Sequence, residues 1–84
     1  MKYRSSTDIT GHILEITNGA NATRTKIMYR TFLSYKQLKE YLILLTGRDL
    51  LRYDKHTQTF NITEEGLRSL EAYNQMHDMI NTPV

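Results

Sequence analysis

Eighty-four residues, 39% of them apolar, with no cysteine and a net charge of +2, set narrow limits. A chain this short supports one domain and buries only about 60–65% of its unfolded surface, so a partner subunit would add needed stability. A disulfide framework and a thiolate metal site are excluded, no window approaches the roughly eighteen apolar residues of a membrane span, and "MKYRSSTDIT" lacks the apolar run of a secretory signal. The expectation is a soluble, cytoplasmic protein with no membrane partner.

The run Ser5-Ser6-Thr7-Asp8 supplies cap-forming side chains for a first helix. Ile9, Ile13 and Ile16 then form one apolar stripe, and Thr17-Asn18-Gly19 stops it. Thr23 is a good N-cap for a short second helix through "RTKIMYR", and Thr31-Phe32-Leu33 is long enough only for a turn. Ser34 caps a third helix, "SYKQLKEYLILL", which ends at Gly47. Leu38, Leu42 and Leu45 occupy its inner arc with Tyr41 beside them, while Lys36, Glu40 and Ile43 point the opposite way. Its front half is polar and cationic, its back half leucine-rich.

The periodicity then changes. "LLRYD" and "TFNIT" are β-branched and aromatic segments around the polar connection "DKHTQ", which predicts a hairpin. Thr63 caps a last helix over 64–80, with Leu67, Leu70, Tyr73, Met76, His77 and Ile80 on its apolar side. The predicted fold is α+β: three N-terminal helices, a two-stranded wing and a C-terminal helix. A short helix, a three-residue turn and a capped helix make a helix-turn-helix, and the hairpin after it is the wing. In that unit the front of the second helix enters the major groove while its rear packs on the domain. The polar front and leucine-rich rear of "SYKQLKEYLILL" match that division.

The chain resembles the short archaeal winged helix-turn-helix DNA-binding domains, a family that includes small chromatin-type proteins. The resemblance runs over residues 4 to 76 and rests on "RSSTDI", "TRTKIMYRTFLSYKQLKEYL" and "FNITEEGLRSLE". It implies DNA binding through the helix beginning at Ser34 and the wing at 54–59, and a dimer held by the last helix. Two departures stand out. Asp49 occupies a position where relatives carry glycine, and the last helix is short for a long coiled coil.

Charge sharpens this expectation. Residues 21–55 hold eight cations against three anions, a block of +5, whereas from Glu64 onward one arginine faces four carboxylates. A local basic field of this kind attracts polyanions. The residues expected to contact double-stranded DNA are Thr23, Arg24, Thr25 and Lys26 at the start of the second helix; Ser34, Tyr35, Lys36, Gln37, Lys39 and Glu40 on the third; and Arg52, Lys55, His56 and Gln58 in the wing. Each has a plain structural alternative: capping for Thr23 and its neighbours, an i,i+4 surface pair for Lys36 and Glu40, partial burial for Tyr35, a polar hairpin for the wing. Leu70, Tyr73, Met76, His77 and Ile80 are expected at a homodimer interface, the alternative being that they fold back onto the first helix. His12, His56 and His77 fall in different elements, no carboxylate pair suggests acid–base work, and no phosphate loop is present. No enzyme activity, metal, cofactor or small-molecule ligand is expected.

Two rivals remain. A winged helix can serve as a protein-binding module, for which an exposed apolar patch around Ile43 would be the sign. RNA binding through the same basic face ranks lower, since no exposed aromatic pair is evident from the sequence.

Overall fold

The computed structural model describes residues 5–81, with side chains described to residue 76. Its elements are α1 (Ser6–Thr17), β1 (Ala22–Thr23), α2 (Arg24–Thr31), α3 (Tyr35–Gly47), β2 (Leu51–Asp54), β3 (Thr59–Ile62) and α4 (Glu64–Asn81). The α+β order of helices, wing and last helix is the one expected.

The helix starts are set by local side chains. Ser5 Oγ accepts the amide of Asp8 while an Asp8 carboxylate oxygen accepts the amide of Ser5, a capping box that fixes α1. Thr23 Oγ1 accepts from the Lys26 amide at 3.1 Å and opens α2. Ser34 and Gln37 form a second capping box at the start of α3. Between α2 and α3 the chain turns at Phe32, whose φ of 59° is left-handed. A phenylalanine pays a steric cost there that glycine or asparagine would largely escape.

The sheet has one strand more than the wing alone would have. β3 lies between β2 and β1, antiparallel to both, with Tyr53 opposite Phe60 on one side and Ala22 opposite Phe60 on the other. Ala22 and Thr23 thus tie the loop before α2 to the wing's base. Asp49 takes the left-handed conformation, φ 60°, in the turn from α3 to β2. Aspartate tolerates that conformation, so the departure from glycine leaves the turn intact.

The core gathers Ile13, Leu14 and Ile16 of α1, Ile27 of α2, Leu38, Leu42 and Leu45 of α3, Leu51 and Phe60 of the sheet, and Leu70 of α4. Each such side chain contributes about 1.5–3 kcal/mol by leaving water. The buried hydroxyls of Thr17 and Thr31 donate back to carbonyls one turn earlier, Ile13 and Ile27 respectively, and so are satisfied inside the core.

α4 is seated by a close contact. Thr63 Oγ1 donates to the Asp49 carbonyl at 2.6 Å and accepts from the Gly66 amide at 3.0 Å. A Cβ on Gly66 would come within 2.2 Å of the Leu50 carbonyl oxygen, so only glycine lets this helix approach the turn. Further along, Tyr73 lies over Gly11 of α1 and donates its hydroxyl to Asp8 at 2.9 Å.

For Leu70 and Tyr73 that packing favours the alternative expectation, a fold back onto the chain's own core. Leu70, 3% exposed, belongs to the core of its own chain, and Tyr73 packs on α1 as the alternative reading had it. Both are used within the chain because α1 crosses α4 where the stripe begins. Met76 is exposed; the side chains of His77 and Ile80 lie outside the described residues.

Candidate nucleic-acid interface

The outer stripe of α3 carries Lys36, Lys39, Glu40 and Ile43, all exposed. Its inner stripe of leucines is buried, so α3 is anchored from behind and leaves its polar front in solvent. Ser34 and Gln37 are also exposed, but each spends a group on the cap. Gln37 Oε1 accepts from the Ser34 amide at 3.1 Å, leaving the Gln37 amide nitrogen as its donor to a ligand. Tyr35, 56% exposed at the first turn, is mostly in solvent rather than buried with Leu38.

Beside α3 runs a groove of about 460 Å³ lined by Arg24, Lys39, Leu42, Ile43, Thr46, Asp49, Leu51, Arg52, Tyr53 and Phe60. Three cations from three elements therefore meet around an apolar floor. The floor is built by cross-strand pairing: the rings of Tyr53 and Phe60 stand 4.8 Å apart, centroid to centroid. Arg24 sits with its guanidinium carbon 5.8 Å from the Phe60 ring centre, a cation–π contact that holds the first residue of α2 against the wing's base. The β-branched and aromatic segments "LLRYD" and "TFNIT" carried the hairpin in the sequence, yet nothing in them placed Tyr53, Phe60 and Thr46 beside Lys39.

The wing tip is shaped by Asp54, whose carboxylate accepts the His56 amide at 2.8 Å, and by Gln58 in a left-handed conformation, φ 56°. Lys55, His56 and Gln58 project into solvent from this loop, outside the groove lining. Thr25 and Lys26 are exposed on α2 and likewise outside it. The groove thus brings together Arg24, Lys39 and Arg52 of the expected contacts.

Among the described residues, ion pairs join only Arg68 to Glu64, at 4.0 Å, and to Glu65, all on α4. The Lys36–Glu40 pair is not formed, and no described carboxylate lies in ion-pair contact with the cations of α2, α3 or the wing. They keep their charge available to a polyanion. Elsewhere, the exposed rings of Tyr29 and Phe32 flank a shallow depression of about 340 Å³ with Met28 and Leu33. An exposed aromatic pair therefore exists, contrary to the sequence-based argument that ranked RNA binding down. Phe32 stands in the short turn between α2 and α3, where nothing in the sequence signalled that its ring would be exposed.

Among the described residues no group of three histidine, cysteine or acidic side chains could hold a metal, and no helix is long and apolar enough to cross a membrane.

A three-helix unit with a wing and an unpaired basic face on its second helix-turn-helix helix defines a winged helix-turn-helix domain. The family model described as winged helix-turn-helix matches residues 3–81, and the chain belongs to that family. Among solved structures it is similar to wild-type ZitR of Lactococcus lactis, with a TM-score of 0.73 and 18% identity. The match covers 94% of this chain and 57% of that one, so this chain spans little more than half of its neighbour's length. No curated protein matches.

Proposed function

We propose that the protein binds double-stranded DNA, with the front of α3 in the major groove and the wing on the adjacent backbone, and acts as a small transcriptional regulator or nucleoid-associated chromatin factor in the cytoplasm. The observation that carries this is the groove in which Arg24, Lys39 and Arg52 converge beside the exposed face of α3, with no ion-paired carboxylate among the described residues. Lys39 and Arg52, with Lys36 and Lys55, neutralise phosphates, while the α2 amides after Thr23 add the positive end of a helix dipole. Glu40 and Gln37 face base edges, where a carboxylate or amide discriminates among bases. Binding, not catalysis, is the activity, and no cofactor enters it.

The acting species is a homodimer joined through the far end of α4, from the exposed Met76 onward through His77 and Ile80. Light scattering then gives about twice the 9.9 kDa chain mass. Fluorescence anisotropy with labelled duplex and single-stranded DNA of one sequence tests the main reading. Preference for the duplex supports it, and equal or weaker duplex binding sinks it.

A protein-binding role is the second reading. It is favoured by Tyr29, 75% exposed, and Phe32, 89% exposed, whose rings the fold does not use.

A further inference from the structure

Ile43 is the residue on the outer stripe of α3 that neither packing nor phosphate binding explains. It is 61% exposed, so its side chain adds little to the core behind it. It follows Lys36 by seven residues and Glu40 by three, which puts it on the same outward stripe of the helix. It also lines the groove that Lys39 shares with Arg24 and Arg52. Cations on both sides of that groove suit a phosphate backbone. Ile43 adds an exposed apolar side chain to the lining that these cations share with Asp49, and it suits an apolar group on the same ligand.

Base edges exposed in the major groove offer hydrogen-bond donors, acceptors and one apolar group, the C5-methyl of thymine. We propose that Ile43, which continues the exposed stripe of Lys36 and Glu40 beyond the polar front of α3, packs against thymine methyls and gives the protein a preference for thymine at the edge of the bases that this front reads. This rests on the duplex-DNA reading and adds a base preference to it. The apolar patch that would otherwise signal a protein partner is then part of the reading surface. Branched and stiff at χ1, isoleucine presents its methyls in a nearly fixed direction, which suits contact with a single methyl group.

Alternating poly(dA-dT) and poly(dA-dU) duplexes carry the same phosphate charge and differ in that methyl alone. The parent protein binds the thymine duplex about threefold to fivefold more tightly for each methyl it covers, the transfer value of one carbon. Ile43→Ala binds both duplexes alike, with the salt dependence of the parent, because no phosphate contact has changed. The side chain is mostly exposed, so the variant keeps its fold, which circular dichroism and thermal melting verify. A third duplex with 5-methylcytosine in place of cytosine restores the methyl on a different base and gains affinity over its unmethylated form. Equal binding of thymine and uracil duplexes by the parent overturns this inference and leaves the duplex-DNA reading standing. A thymine preference that persists unchanged in Ile43→Ala also overturns it, since the methyl is then felt through duplex stiffness. Failure to bind any duplex overturns the DNA-binding reading itself, and the thymine preference with it.

Discussion

The face formed by α2, α3 and the wing can be set against α4. Both are rich in charge, and both border the same core. On α4 the single arginine, Arg68, lies against Glu64 and Glu65, and the inner stripe carries a tyrosine that donates to Asp8. On the other face Arg24, Lys36, Lys39, Arg52 and Lys55 have no described carboxylate in ion-pair contact, and an isoleucine is left in water among them. One region uses its side chains to complete the fold and the other withholds them. A surface whose charges are unpaired and whose apolar side chain is uncovered is prepared for a ligand.

The supporting role of α4 breaks most visibly at Leu70. Leu70→Ala removes a side chain from the core and costs about 3 kcal/mol, read in urea denaturation, whether or not the protein dimerises. Were Leu70 chiefly a subunit contact, the cost would instead depend on protein concentration. Gly66→Ala comes next. Its new Cβ meets the Leu50 carbonyl, and the turn must shift at a cost of about 2 kcal/mol despite alanine's better helix propensity.

How far these roles were legible in the sequence depends on the range of the physics involved. The caps at Ser5, Thr23, Ser34 and Thr63 act within three residues and could be read directly, as could the two sides of α3. Asp49 stood out in the sequence only through the resemblance, as a departure where relatives carry glycine, and the structure supplies its left-handed conformation. β1 was not legible, because two residues have no periodicity and Ala22–Thr23 is a strand only through its pairing with β3. The inward fate of Leu70 and Tyr73 needed the position of α1, sixty residues away in sequence, and Gly11 beneath the ring. The groove depends on the same kind of distant meeting, between Arg24, Lys39 and Arg52.

A smaller break is available at Tyr73. Its hydroxyl has a raised pKa, chiefly because it donates to Asp8, with burial and the nearby carboxylate charges adding to the shift. The neutral phenol is therefore favoured in the folded protein. Its contribution is fully present below the unfolded value of 10.0 and is lost as pH rises through the higher folded value. Tyr73→Phe costs about 1 kcal/mol at neutral pH and shows less of this alkaline loss in melting experiments from neutral pH upward.

Arg68→Ala is the smallest change. Its ion pairs are largely solvent-exposed, so melting should shift by no more than about 0.5 kcal/mol, and duplex binding should not shift at all. A clear loss of DNA affinity in this variant would erase the distinction between the two regions.

The most direct test is the salt dependence of duplex binding in the parent, Lys36→Ala, Lys39→Ala and Arg68→Ala proteins. Each phosphate contact contributes about −0.9 to the slope of log K against log salt, so each lysine variant should flatten the parent slope by about one unit. Arg68→Ala should keep it. If both lysine variants bind as tightly as the parent at every salt concentration, α3 does not face the DNA backbone, and the account of this surface is wrong.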